Sequence, residues 1–445
     1  MTHVVTQPCC ADASCVLACP VNCIHPAPGE PGFGQTEMVY VDPAGCVDCG
    51  ACVTACPVGA IVPHTSLSPG QRPFADLAVE YYEAFPHADR VPLAIVSPPR
   101  RLRERRPVRV AVVGAGPAGL YAADELLRHP SIGVDVIDAQ PVPHGLARAG
   151  VAADHESTRR VTGLFEKIER QPGFGYRLST RVDDGSGVLD DYDAVIWATG
   201  AGPERRLDIP GEHLPGVVGG TALARWWNRD PGQPDPAPGL AGARSAVIVG
   251  MGNVALDVAR MLVLDPGGVV GTSVSEVVVL ARRGPAHAAF TLPEVVGLVG
   301  LATDGLVEVA VEPGGAALDP SDPKQRLLAG LPASVPGARG RIVLRFEATP
   351  TRVSGERHVE AVELADGTRL AADLVVHAIG HEPSGIVHER GRTAPGRYVV
   401  GWAKRGASGG IGANKACAEE TVASLLDDLE AGLLGVGARE YAAVP

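Results

Sequence analysis

Between Val108 and Asp138 the chain reads VRVAVVGAGPAGLYAADELLRHPSIGVDVID, an order of residues that few folds accommodate. Val108 to Val113 is a β-branched run whose only charge is Arg109, which suits a buried parallel strand. Gly114-Ala115-Gly116-Pro117-Ala118-Gly119 follows at once, Leu120 to Leu127 has helical character, and a second apolar run from Val134 to Ile137 ends at Asp138. Gly114 permits the tight turn, Gly116 lets backbone approach a pyrophosphate, and Gly119 allows close helix–strand packing. The helix N-terminus offers free N–H groups and partial positive charge to phosphates. Asp138, 24 residues beyond Gly114, is placed to accept hydrogen bonds from a ribose hydroxyl pair. A glycine-rich turn alone is a weak signal. Strand, turn, helix, strand and terminal acid in register predict a dinucleotide-binding fold.

The fingerprint recurs. Ser245 to Val249 reads as a strand, Gly250-Met251-Gly252-Asn253-Val254-Ala255 as the turn, and Leu256 to Leu264 as the helix. The next strand, Glu276 to Leu280, ends in Ala281-Arg282-Arg283-Gly284 instead of an acid. A carboxylate there would accept from a 2′-hydroxyl, whereas guanidinium groups pair with a 2′-phosphate, so this half is expected to take NADPH. Between the two fingerprints, Ala194 to Trp197 reads as a strand ending in the small-residue turn Ala198-Thr199-Gly200, where the chain can approach a cofactor and leave for a second domain. The stretch Gly145-Leu146-Ala147-Arg148-Ala149-Gly150-Val151, close behind Asp138, fits a loop crossing a flavin. Ala413 to Leu429 is expected to be a helix whose N-terminus faces a reduced flavin ring.

Nine of the ten cysteines precede residue 57 and form a repeat. Cys46-x2-Cys49-x2-Cys52-x3-Cys56-Pro57 is the spacing that bacterial-type ferredoxins use, and Cys9-x2-Asp12-x2-Cys15-x3-Cys19-Pro20 repeats it with Asp12 in a cysteine position. In double motifs the fourth cysteine crosses to the other cluster. Cys19, Cys46, Cys49 and Cys52 are therefore assigned to one [4Fe–4S] site. Cys9, Cys15 and Cys56 are left for the other, with Asp12 as candidate fourth ligand. Three thiolates fit a [3Fe–4S] cluster or a second [4Fe–4S] cluster with a labile corner. Zinc is the competing reading of paired CxxC spacing, disfavoured by the doubled x2, x2, x3 pattern. Cys10 and Cys23 fall outside the repeat and are read as non-ligands, with Cys10 an alternative to Cys9. Cys417 is read as packing.

Residues 64–107 carry six arginines between Arg90 and Arg106 among Pro92, Pro98, Pro99 and Pro107, and are read as a linker. The arginines either solvate it or contact the iron–sulfur domain or a phosphate; Tyr81, Tyr82 and Phe85 are candidates for pinning it down. A net charge of −12 argues against nucleic-acid binding. No apolar run reaches the about 18 residues a membrane helix needs, and Met1-Thr2-His3 opens no signal peptide. Cytoplasm is the expected compartment.

The N-terminal segment resembles the seven-iron and eight-iron ferredoxins through Cys19-Pro20-Val21-Asn22-Cys23-Ile24 and Cys46-Val47-Asp48-Cys49-Gly50-Ala51-Cys52. Over nearly its whole length the chain resembles the adrenodoxin-reductase-like ferredoxin–NADP reductases, especially those with a fused N-terminal ferredoxin. The likeness rests on Gly145 to His155, Gly252 to Asp257, Arg282-Arg283-Gly284-Pro285, Ala289-Phe290-Thr291-x2-Glu294 and Gly401 to Lys415. It departs from the family at Ala407 and Gly410 and in shorter segments after Leu264 and Gly380.

The resemblance implies that Gly114 to Gly119, Asp138, Gly145, Leu146, Trp402, Gly409, Gly410 and Ile411 line FAD. By the same likeness Asn253, Val254, Ala255, Leu256, Arg282, Arg283, Glu294 and again Gly409 meet NADPH. His155 and Glu294 match the family's pair near the nicotinamide, with a proton relay and hydrogen-bond positioning both open. The expected architecture is α/β: two nested Rossmann-like dinucleotide-binding domains preceded by a small α+β ferredoxin-like iron–sulfur domain. The boundaries are 1–63 for the iron–sulfur domain, 64–107 for the linker, 108–201 with 375–445 for the FAD domain, and 202–374 for the NADPH domain. The expected function is electron transfer from NADPH through FAD and the clusters to a ferredoxin or cytochrome P450. The alternatives are an NADPH-input subunit of a larger enzyme, similar to the glutamate synthase small subunit, and a non-catalytic redox carrier or sensor.

Overall fold

Val108–Val113 forms the strand that its composition predicts, buried except at Arg109. It lies inside a six-stranded sheet ordered Arg392–Ala394, Arg397–Val399, Ala194–Trp197, Val108–Val113, Ile132–Ile137, Phe174–Arg177. All neighbours in this sheet are parallel except the first pair. The computed structural model describes residues 2–86, 98, 100–103, 106–182, 187–233, 240–265, 268, 271, 273–315 and 317–434. A second six-stranded sheet is wholly parallel, in the order Glu308–Glu312, Arg341–Arg345, Glu276–Leu280, Ser245–Val249, Leu374–His377, Val217–Gly219. Parallel pairing requires crossover segments, so both sheets are flanked by helices and their central strands are apolar on both faces.

The helices Pro117–Leu127 and Asn253–Leu264 start one residue after the second glycine of each turn. The helix Ala413–Glu430 packs along Pro117–Leu127 and completes the first fold from the far end of the chain. Leu374–His377 pairs with Ser245–Val249 and Val217–Gly219. The return crossing therefore lies beyond His377, not at 375 as the sequence was divided, because strand pairing holds the intervening residues in the second sheet. Two short antiparallel pairs, His3–Val5 with Ile61–Pro63 and Ile24–His25 with Tyr40–Val41, frame the iron–sulfur segment.

The segment read as a linker contains a helix, Pro73–Ala84, with Phe74, Leu77 and Ala78 buried. Proline at its first position costs nothing, since that N–H has no helical partner. Tyr81 stacks on Tyr40 at 4.5 Å, and the Tyr82 hydroxyl lies 3.1 and 2.9 Å from the Cys23 and Tyr40 carbonyls, to which it donates. Arg326 pairs with Glu80 from the nucleotide side. The described arginines of this segment meet the flavin fold instead of the iron–sulfur domain: Arg100 pairs with Asp427 at 2.6 Å and Arg106 with Asp193 at 2.7 Å. Arg90 and Arg105 lie outside the described residues.

One continuous apolar core runs from Val4, Val16, Ile24 and Ile61 through Phe74 to Val112, Leu120 and Leu425. The iron–sulfur segment is thus built into the flavin fold. Gly70 and Gly300 close the contact to the nucleotide domain, and the Gly70 N–H donates to Asp304 at 3.1 Å. Among the described residues no helix is long and apolar enough to cross a membrane.

A Cβ at Gly70 would lie 2.6 Å from the Gly300 Cα and 2.7 Å from its carbonyl oxygen. Gly70→Val should therefore cost about 1–3 kcal/mol through overpacking. Gly163→Ala, in the helix Thr162–Glu169 with nothing within 4 Å of the added carbon, should gain at most about 1 kcal/mol. Thermal midpoints of the two variants check the pair; equal midpoints would contradict the seam.

Candidate functional site

Each nucleotide cradle begins at a glycine pressed against a carbonyl. Gly114 has φ +116° and faces the Ala198 carbonyl; Gly250 has φ +126° and faces the Ala378 carbonyl. A Cβ at either would overlap that carbonyl, so only glycine brings the turn beside the neighbouring strand end. Beyond the first lies open space, since a Cβ at Gly116 would meet nothing within 4 Å; at Gly252 it would reach only the Ala289 Cβ, at 4.0 Å. Pro117 and Ala118 open the first helix, while Gly119 abuts the Gly114 carbonyl and seats that helix on its strand. Asp138 accepts from the Ala115 N–H at 2.7 Å and the Gln140 N–H at 2.8 Å, which fixes its carboxylate at the rim of the turn. These features fit a pyrophosphate and ribose.

The loop after Asp138 closes over this cradle. Gly145 (φ +48°) approaches the Gly116 Cα and opens the short helix that carries Leu146. Arg148 is turned to the other domain, pairing with Asp230 at 2.5 Å, and the Val151 carbonyl accepts from Asn228 at 2.8 Å. Ala198, Thr199 and Gly200 (φ +84°) end the adjacent strand. On the far side Trp402 donates its indole N–H to the Ser408 carbonyl at 3.0 Å, shaping Gly409, Gly410 and Ile411 ahead of the helix Ala413–Glu430. Asn414 donates back to the Gly410 and Ile411 carbonyls.

In the second cradle Asn253 exchanges hydrogen bonds with Thr291: its amide donates to the hydroxyl at 3.1 Å and accepts from the N–H at 2.8 Å. That link docks the turn onto the helix Leu292–Thr303. Val254 is exposed, whereas Ala255 and Leu256 are fully buried, so only their backbone is available to a nucleotide. Arg282 and Arg283 are exposed at the strand end and form no ion pair among the described residues. Free guanidinium groups at that place suit a 2′-phosphate.

His155 and Glu294 are brought together by a residue that sequence reading missed, Arg260. Its fully buried guanidinium reaches Asp154 at 3.1 Å, Asp257 at 2.6 Å and Glu294 at 3.0 Å. It also donates to His155 Nε2 at 2.8 Å. Burial, then Arg260, holds the imidazole below its ordinary range, so His155 is neutral and its Nε2 is occupied as an acceptor. Asp154 stays ionised because Arg260 outweighs its burial. Burial and the adjacent Glu294 push Asp257 up to about 7. Gln7 of the iron–sulfur segment reaches into the same cluster, 3.3 Å from Glu294. The signal for Arg260 was present: it is the one basic residue inside the apolar run of the helix Asn253–Leu264.

The cysteine repeat is also a backbone repeat. Ala11 and Ala13 take left-handed φ values, and so do Asp48 and Gly50 at the same offset from Cys46. Each loop then enters a short helix, Ser14–Ala18 or Ala51–Ala55. Cys19, Cys46, Cys49 and Cys52 line one cavity together with His3 and Cys23, which matches the crossed assignment. Cys23 lies 3.4 Å from the Cys19 sulfur. Cys9, Asp12, Cys15 and Cys56 gather on the other side. Burial pushes the Cys9 thiol up to about 11, with Cys56 and Asp12 adding to the effect. Burial, followed by Cys9, Asp12 and Cys56, raises Cys15. Thiols gathered at this spacing suit iron ligation, since the thiolate is the ligand and a bound metal compensates its charge. The Asp12 carboxylate accepts from the Ser14 hydroxyl and N–H. Cys10 is buried 3.9 Å from Asp12, and Cys417 accepts from the Gly401 N–H in the core.

Two glycine-turn cradles in one chain, with a double cysteine motif packed on the first, define a flavin- and pyridine-nucleotide-dependent oxidoreductase carrying its own electron-transfer domain. Residues 108–285 match the pyridine nucleotide-disulphide oxidoreductase family, and residues 9–60 match the 4Fe-4S dicluster domain. The probable ferredoxin/ferredoxin–NADP reductase of Mycobacterium leprae is 41% identical over 98% of this chain and 87% of its own length. The protein of that name from Mycobacterium tuberculosis is 43% identical over 98% and 85%. The solved structure of Mycobacterium tuberculosis FprA in complex with NADPH aligns with a TM-score of 0.66 at 35% identity, covering 74% of this chain and 85% of that one. The chain belongs to the ferredoxin/ferredoxin–NADP reductase family.

Asp257 gives a pH test of the buried cluster. The unfolded chain releases its proton near the ordinary 3.8, the folded protein near 7. The folded state therefore binds more protons between those values, and this group's contribution to stability falls as pH rises through them. Asp257→Asn removes the titration. The wild-type thermal midpoint should fall relative to that of Asp257→Asn as pH rises toward 7; parallel profiles would contradict the assignment.

Proposed function

We propose that this chain is an NADPH-dependent ferredoxin–NADP reductase that delivers electrons singly, through its own clusters, to a separate ferredoxin or a cytochrome P450. The observation that carries the reading is the shared core: a dicluster domain packed into a flavin fold gives a two-electron donor a fixed one-electron relay. FAD would accept a hydride from NADPH and release its electrons one at a time, chemistry that belongs to the coenzymes. The chain's residues bind and orient. Gly114 to Gly119 and Asp138 hold the FAD pyrophosphate and ribose. Gly145, Leu146 and Val151 cover the coenzyme from one side, with Ala198 to Gly200, Trp402 and Gly409 to Ile411 on the other. Arg148 joins the two domains at its edge. Asn253 to Leu256 present a helix N-terminus to NADPH, and Arg282 and Arg283 take its 2′-phosphate.

His155 and Glu294 act by position, held by Arg260, because the His155 Nε2 accepts from a guanidinium that does not titrate. Cys19, Cys46, Cys49 and Cys52 hold a [4Fe–4S] cluster. Cys9, Cys15 and Cys56 hold the second, which is [3Fe–4S], or [4Fe–4S] with Asp12 at the exchangeable iron. Cytoplasm is the compartment that goes with this reading, since thiols stay reduced there. The relatives' names favour this reading over a subunit of a larger enzyme, such as one similar to the glutamate synthase small subunit, and over a non-catalytic carrier.

An anaerobic NADPH titration followed by optical and EPR spectroscopy tests it. The flavin absorbance should bleach as the clusters are reduced: a [4Fe–4S] cluster gains an EPR signal on reduction, whereas a [3Fe–4S] cluster loses the signal of its oxidised form. A colourless protein holding zinc alone would overturn the reading. Replacing Arg282 and Arg283 together by alanine should raise the KM for NADPH by about 100-fold or more, since each charge-assisted hydrogen bond is worth about 1.5–3 kcal/mol. The KM for NADH should stay near its wild-type value. Equal losses for both nucleotides would contradict the 2′-phosphate assignment.

A further inference from the structure

The two cluster sites stand differently toward the flavin. Cys9 to Asp12, the loop of the Asp12-containing site, lies directly on the turn that opens the helix Ala413–Glu430. The Gly412 N–H donates to the Cys10 carbonyl at 2.8 Å. A Cβ at Gly412 would overlap both the Cys10 and the Ala11 carbonyl, so the approach is limited only by backbone. Gly412 immediately follows Gly409 to Ile411, the stretch assigned to FAD above.

The crossed site is turned the other way. Cys49 is exposed, and Val47 and Val53 beside it are 59% and 37% exposed. The sites abut one another: Cys52 of the crossed site is among the groups acting on Cys15.

We propose that electrons leave the flavin for the Cys9/Cys15/Cys56 cluster first and pass from it to the Cys19/Cys46/Cys49/Cys52 cluster, whose exposed Cys49 side is the exit to the acceptor. This rests on the FAD and cluster assignments of the preceding section. The balance is simple. NADPH is oxidised to NADP+ as its hydride and one solvent proton reduce FAD. Reoxidation of the flavin returns two protons to solvent and sends two electrons, one at a time, into the first cluster, and the second fills by oxidising the first.

The test uses the full chain loaded with FAD and both clusters, mixed anaerobically with NADPH, freeze-quenched and read by EPR. In the wild type the spectral change of the first cluster (loss of the oxidised signal for [3Fe–4S], gain of the reduced one for [4Fe–4S]) should precede that of the second. In Cys15→Ala, NADPH should bleach the flavin but leave the second cluster oxidised, while dithionite still reduces it.

A second cluster that fills at the wild-type rate in Cys15→Ala, or fills first in the wild type, overturns the order. If Cys15→Ala loses both clusters, the wild-type time course decides the order alone. Failure of NADPH to reduce the flavin in the wild type would defeat the parent reading instead, and the two failures are distinct in the optical trace.

Discussion

The architecture depends on two places where a strand-end carbonyl meets a glycine without a Cβ: Ala198 on Gly114 and Ala378 on Gly250. Each contact lets a nucleotide-binding turn sit beside the strand from which the chain departs for the other domain. Gly200 and Gly380, at φ +84° and +89°, then redirect the backbone. The two crossing segments pair with each other, through the Arg205 N–H to the Gly380 carbonyl at 2.9 Å and the bridge between Glu204 and His381. Both cofactor cradles and the hinge between them thus follow from the same local requirement, met twice. A side chain at either glycine would displace a sheet, a crossing and a cradle together.

Arg260 works at a different level. A fully buried guanidinium carries a large desolvation cost, and here it is offset by three carboxylates and an imidazole from separate segments. Asp154 and His155 come from the loop of the first fold, Asp257 from the same helix, and Glu294 from the next helix. Gln7 adds a contact from the iron–sulfur segment. Such a network is a weak source of net stability, yet removing one member leaves the others buried without compensation. Its value lies in fixing geometry: three parts of the chain must be in register for the charges to be satisfied. Burial, followed by the neighbouring carboxylate of Glu294, pushes Asp257 toward the neutral form.

Much of this was legible from residues whose physical requirement is local. The runs Val108–Val113, Ser245–Val249 and Glu276–Leu280 were bounded correctly because β-branched strands followed by glycine turns leave little latitude. The cysteine motifs were legible as a repeat because spacing and backbone repeat together. The helix Pro73–Ala84 was not, although Phe74, Leu77, Ala78 and Tyr81 keep a helical period; the prolines and arginines that follow masked it. Leu374–His377 was divided from its sheet because an apolar strand carries no mark of which neighbour it pairs with. Arg260 was visible as a lone cation in an apolar helix, but its four partners are scattered along the sequence. No periodicity reports the seam between Cys10 and Gly412, since that contact joins opposite ends of the chain and is made by backbone atoms.

That seam changes what fusion means here. Two domains tethered by a flexible linker meet at an effective concentration set by the tether, and must still order their interface at each encounter. In this chain the interface is part of one core, shared among Val16, Ile24, Leu120 and Leu425 and clasped from outside by Tyr81 and Tyr82. Its ordering is therefore inseparable from folding, and no docking step separates the flavin cradle from the first cluster loop. The remaining encounter, with an external acceptor, falls to the other end of the iron–sulfur segment. There Val47, Cys49 and Val53 reach solvent. A one-electron donor needs one face fixed and one face free, and the core distributes them in that way.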